Sequence, residues 1–131
     1  MLTSSRESDQ HQNRRAADAR SDEPVDLKHL RRYTMGDVRL EQEVLHLFVG
    51  QLPQTIKSLS EAETDRDWKV AAHTLKGSGR AVGAWRVAAL AERAERQAVK
   101  TDMIKAQAVA RLEEAAEEVR AFISAAYPNA D

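Results

Sequence analysis

The stretch from residue 38 to residue 63, VRLEQEVLHLFVGQLPQTIKSLSEAE, decides the fold. Its apolar residues Leu40, Val44, Leu47, Phe48, Leu52, Ile56 and Leu59 recur at three- and four-residue steps. That spacing stacks side chains along one face of an α-helix. No apolar–polar alternation at period two interrupts it, so a strand is not expected. Pro53 falls inside the pattern and lacks a backbone donor, which predicts a bend rather than an end.

The same period extends to both sides. Upstream, Asp26 is placed to cap a short helix from Leu27 to about Tyr33, with Gly36–Asp37 as its stop. Downstream, Asp65 and Asp67 are alternative caps for a helix from about Trp68 to Val82, which Gly83 ends. A further helix begins near Ala84 and turns Val87, Leu90, Ala91, Ala94 and Ala98 inward. Thr101 or Asp102 caps the last one, whose inward residues are Ile104, Ala108, Leu112, Ala115, Val119 and Phe122, with Pro128 as its latest end. These elements predict an all-α domain over residues 25–128, an up-down-up-down four-helix bundle preceded by a short N-terminal helix. Residues 1–24 have no aromatic residue, and beyond Met1 and Leu2 their only apolar side chains are alanines. Such a segment cannot offset its own ordering entropy and is expected to be a disordered tail.

Composition narrows the function classes. A length of 131 residues allows one domain and a tail. The absence of cysteine excludes disulfides, thiolate metal sites and thiol catalysis. A net charge of −1 from 20 basic and 21 acidic residues offers no case for nucleic acid or an anionic membrane. No apolar run approaches the ~20 residues of a membrane span, and the first 30 residues contain no signal-peptide core. A cytoplasmic location is the expectation.

The chemistry is concentrated in the third helix. Ala71, Thr74 or Leu75, Ser78 and Val82 form its inward seam, while Lys69, His73, Lys76 and Arg80 share the opposite face, with Arg66 just before it. A row of like charges is mildly destabilising on a helix, so it needs solvated side chains or an anion. Gly77 stands one turn after His73, where a side chain would crowd the imidazole. Gly77 and Gly79 each cost ~1 kcal/mol relative to alanine in a helix, so something besides helix stability sets their identity. A solvated basic face, an ordinary surface histidine and a packing glycine are the plain readings of these residues taken singly. None of them accounts for the combination.

His73-Thr74-Leu75-Lys76-Gly77-Ser78, followed by Gly83, resembles the signature of histidine-containing phosphotransfer domains. The likeness extends to the short first helix, the Gly36–Asp37 junction, the Asp67-Trp68 entry and the Leu90/Glu95 helix, covering about residues 26–126. The resemblance implies that His73 is the phosphoacceptor, reacting through Nε2 with a receiver's aspartyl phosphate. Imidazole suits this, because a large share is neutral and nucleophilic near pH 7. Lys76 is then expected to neutralise phosphoryl oxygens and Gly77 to leave room for the receiver. Lys69 and Arg80 would steer and hold the acidic partner. Ser78 and Gly83 read as structural, the first bonding a carbonyl or a neighbouring helix, the second turning the chain.

The implied partners are response-regulator receiver domains, with a histidine kinase or hybrid kinase upstream. No GxxxxGK[ST] loop is present, so no intrinsic nucleotide site or other cofactor is expected, and the Mg2+ the reaction needs would sit in the receiver. No metal site is expected in this chain, since His11, His29 and His46 are scattered. Two alternatives stay open: a dimeric histidine-kinase-like bundle phosphorylated by an ATP-binding partner, and a non-catalytic adaptor that binds receivers through the same face. Four long helices in one chain favour the monomeric carrier.

Overall fold

In the computed structural model, which describes residues 22–98 and 100–128, regular structure among the described residues is entirely helical. The helices are α1 (Leu27–Thr34), α2 (Val38–Ser60), α3 (Asp65–Val82), α4 (Trp85–Glu95) and α5 (Asp102–Ala126). The expected disordered tail lies outside the described residues except for Asp22, Glu23 and Pro24. Short polar side chains set four of the five starts. Asp26, Asp37, Thr64 and Thr101 each accept a hydrogen bond from a backbone N–H in the first turn of the helix that follows. The α3 cap is therefore Thr64 rather than Asp65 or Asp67. The helix starts earlier than Trp68, with both aspartates in its first turn, where the helix dipole favours them. At the other end of the preceding loop, α2 stops at Ser60 instead of reaching Glu63, after continuing through an exposed Pro53.

Packing follows chain order and then closes. α2 lies on α3, α3 on α4, α4 on α5, and α5 on α2, with α1 laid against α2 and α3. Leu45, Leu59, Trp68, Leu75, Val87, Leu112 and Val119 fill the interior and are essentially inaccessible. Trp68 brings a polar edge into this core, and its indole Nε1 donates to the Ala94 carbonyl at 2.7 Å. Two other inward assignments shift. Ile123 is buried in place of the half-buried Phe122, and Ala98 is exposed beyond the end of α4.

The first half of α2 turns a different face to the core from the one its hydrophobicity suggests. Phe48, Leu52, Ile56 and Leu59 are buried as expected, but Leu40 is 41% and Leu47 65% exposed. Leu45 and Glu41 take the inward positions. A buried carboxylate is tolerable only if paired and hydrogen-bonded. Arg31 of α1 donates to Glu41 Oε1 at 2.8 Å, and the Tyr127 hydroxyl donates to Oε2. Burial pushes Glu41 upward, yet the bonds from Arg31 and Tyr127 together outweigh it and hold the carboxyl below its usual range. One acid thus ties α1 and the end of α5 to α2.

This tie makes stability depend on alkaline pH. Burial first, and then the Glu41 hydrogen bond, push the Tyr127 phenol up to about 12. Unfolded tyrosine ionises near ~10. Between those values the unfolded chain holds fewer protons than the folded one, so stability falls as pH rises. Below the lower value the contribution is complete. Denaturant titrations from pH 8 to 12 should show this loss in the wild type and a shallower one in Tyr127→Phe. At neutral pH the variant should be less stable by about 1.5–3 kcal/mol, the worth of a hydrogen bond to a charged group.

Candidate functional site

The buried residues of α3 are Trp68, Ala71, Ala72, Leu75, Gly79 and Val82, spaced at three- and four-residue steps. This leaves Lys69, His73 and Arg80 on the outside and Lys76 at the margin. The expected cation row is therefore present on one side of the helix. Thr74 is exposed rather than inward, and Ser78 is half-buried.

His73 is 68% exposed along its side chain, and the partner it does have comes from α4. Its Nδ1 lies 2.9 Å from Glu95 Oε2, while Glu95 Oε1 accepts from Lys76 Nζ at 2.6 Å. One carboxylate spans both groups of the sequence signature. The Lys76 hydrogen bond chiefly, helped by that of His73 and opposed by desolvation, holds Glu95 below the usual carboxylate range. Glu95 therefore stays an acceptor at neutral pH. An anionic acceptor facing Nδ1 favours the tautomer protonated there, which leaves the lone pair on Nε2.

The other cations are also engaged. Arg80 lies 3.4 Å from Glu92, and Lys69 lies 3.2 Å from Asp65, which also receives Lys100 from the α4–α5 loop. Lys76 retains only 16% side-chain exposure, so it is folded against Glu95 instead of standing free beside the imidazole. The two acids that reach this row from α4, Glu92 and Glu95, are one turn apart. They meet cations one turn apart on α3 because contacts run in reverse order along the two helices. Sequence reading placed Glu95 in the family-like pattern without giving it a role at the site, and it did not consider Glu92. The available signal was one-turn spacing on both helices, three residues between Glu92 and Glu95 and four between Lys76 and Arg80.

Gly79 makes this approach possible. A Cβ there would lie 3.0 Å from Ala88 N and 3.1 Å from the Ala84 carbonyl, both backbone atoms of the facing segment. At Gly77 a Cβ would meet nothing within 4 Å. Close packing, weighed as a reading of Gly77, thus belongs to Gly79, and Gly77 borders open space beside His73. Opposite responses should follow. Gly77→Ala should raise stability by up to ~1 kcal/mol through helix propensity. Gly79→Val should lower it by about 1–3 kcal/mol through overpacking. Thermal melts of the two variants beside wild type check the pair, and a stabilised Gly79→Val would mean that α4 yields easily.

Gly83 ends α3 with φ 84°, and its carbonyl accepts from Asp26 N–H at 2.8 Å, anchoring the entry to α1. Elsewhere, a groove of about 650 Å³ runs between α2 and α5 and includes no residue of this cluster. Among the described residues no group of three or more His, Asp or Glu could hold a metal ion, and no helix is long and apolar enough to cross a membrane.

A family model for the Hpt domain matches residues 43–126, more than half of the chain. Comparison with curated proteins gave no match, and neither did comparison with solved structures.

Proposed function

Because this chain belongs to the Hpt domain family of two-component phosphorelays, we propose that it is a covalent phosphoryl carrier that accepts the group on His73 from a receiver's aspartyl phosphate and passes it to another response regulator. Histidine phosphotransfer is what membership in the family implies. The observation that carries the residue assignment is His73 itself, exposed on the signature helix with Nδ1 engaged by Glu95 and no partner for Nε2 among the described residues.

The chemistry follows from that geometry. The Nε2 lone pair attacks phosphorus, an N–P bond forms, and the P–O bond breaks with its electrons returning to the receiver's carboxylate. The ring acquires positive character as the bond forms, and Glu95 beside Nδ1 stabilises it, in the way a buried acid supports a catalytic imidazole. Glu95 is thus a positioning residue. Lys76 offsets the carboxylate's charge and stands within a turn of the incoming phosphoryl oxygens. Gly77 leaves the approach clear.

In this reading the long helices form an up-down-up-down bundle, and the chain acts as a monomer in the cytoplasm. Magnesium is brought by the receiver. Receiver domains are the direct partners, and a histidine or hybrid kinase feeds them. The closing contacts of α2 to α5 within one chain favour this over a hairpin that must dimerise to complete its core. An adaptor that merely binds receivers would not need an imidazole with one nitrogen held and the other free. The test is incubation with a phosphorylated receiver and magnesium. The expected product is an acid-labile, base-stable mark on this chain, with loss of the mark from the receiver. Binding without transfer would leave the adaptor reading.

A further inference from the structure

The seam between α4 and α5 carries two charge pairs of opposite character. The helices run antiparallel, and Arg86 of α4 meets Glu118 of α5 at 3.5 Å. Seven residues on from Arg86 and seven back from Glu118, two turns along both helices, the corresponding positions are Arg93 and Arg111. Both are exposed, and both line one small depression between the helices. Gln97 and Gln107 add two carboxamides to it, and Leu90 and Ile104 add apolar wall. It shares no residue with the His73 cluster and has no carboxylate among its lining residues.

Among the described residues, neither arginine forms an ion pair. The acids close to them in sequence are turned to other faces. Glu92 lies between Arg80 and Arg96, Glu95 is held by Lys76 and His73, and Glu118 by Arg86. Glu113 lines the groove on the α2 side of α5. Glu114 does not line the depression, and one carboxylate cannot balance two guanidiniums. Two like charges brought to one concavity repel, which an anion held between them reverses.

We propose that this depression binds a phosphate group, free or at the end of a phosphomonoester, between Arg93 and Arg111. Each guanidinium presents a fork of N–H donors that matches an oxyanion edge. A phosphate dianion balances the two forks charge for charge and keeps oxygens for the carboxamides, whereas a carboxylate balances only one. The depression measures about 80 Å³, suited to a small ion and far below the ~300 Å³ at which pockets for larger ligands begin. The site is independent of the carrier function, since it uses neither His73 nor its neighbours.

The test is titration of the full chain with inorganic phosphate, methyl phosphate and acetate, at ionic strength held constant with chloride. Amide NMR shifts at Gln97 and Gln107 should saturate with both phosphates. Arg93→Gln and Arg111→Gln should each weaken phosphate binding about tenfold, the loss expected for a hydrogen bond to a charged group. Arg86→Gln, two turns away on the same seam, should leave it unchanged. Shifts that never saturate, or acetate binding as tightly as phosphate, would overturn the proposal. So would an affinity unaltered in both Arg93→Gln and Arg111→Gln, or lowered equally in Arg86→Gln. Thermal melts give a second readout. Phosphate stabilises folded proteins generally by exclusion from their surface, so the difference between variants is what counts. Phosphate should raise the Tm of the wild type more than that of Arg93→Gln, and equal rises would count against the site.

Discussion

His73→Gln should accept no phosphoryl group from any receiver while keeping the helical content and melting temperature of the wild type. Glutamine has no nucleophilic nitrogen, so the loss should be complete to the limit of detection. The fold should survive because the imidazole is 68% exposed and its polar contact among the described residues, to Glu95, lies at the surface. Glu95 keeps Lys76 as a partner in the variant, so no acid is left unpaired. The measurement is radiolabel transfer from a phosphorylated receiver, read beside circular dichroism. Persistent labelling would move the acceptor elsewhere, with His46, exposed on α2, the first residue to replace. A lost fold would instead mean that the His73–Glu95 contact carries stability that its exposure does not suggest.

Gly83→Ala should produce the largest loss of stability among single-methyl additions to this domain. Gly83 holds φ 84°, a left-handed conformation that costs an L-residue roughly 1–2 kcal/mol. Space is lacking as well, since a Cβ would lie 2.8 Å from the Asp26 carbonyl oxygen and 3.2 Å from its Cβ. Asp26 cannot retreat without consequence. Its backbone N–H donates to Gly83, its carboxylate caps α1 through His29 N, and the same carboxylate accepts from Trp85 Nε1. Adding roughly one lost hydrogen bond, ~1 kcal/mol, gives a total of about 2–3 kcal/mol. For a folded unit of this size that is a fall in Tm on the order of 10 °C or more. Gly36→Ala is the control. It has φ 81° but nothing within 4 Å of a built Cβ, so it should show the conformational cost without the clash. Equal losses in the two variants would remove the Asp26 contact from the account.

These two predictions draw on different kinds of information. His73, Lys76 and Gly77 are legible in the sequence because a helix places residues one turn apart on one face whatever surrounds it. The helices themselves were legible for the same reason. Asp26 and Thr101 cap where their side chains can reach a following N–H, and Phe48, Leu52, Ile56 and Leu59 keep an unbroken apolar step. The α3 start was misread by less than a turn, since Thr64, Asp65 and Asp67 are all competent caps. Local sequence does not rank them; the hydrogen bond from Asp67 N does.

What the sequence determined by itself, then, is local: helical periodicity, most caps, the turns at Gly36 and Gly83, and the row of His73 and its cations on one helix face. Each depends on interactions within a few residues, which backbone geometry makes readable. The tertiary structure alone decided which half-polar face of α2 goes inward, because Glu41 is admitted to the core only by Arg31 and by Tyr127 from the far end of the chain. It alone decided that Lys76 and Arg80 are held by acids of another helix, because Glu95 and Glu92 reach them across a helix interface that Gly79 brings close. Charges and carboxylates interact through space according to distance and burial, and neither quantity exists until the helices have packed.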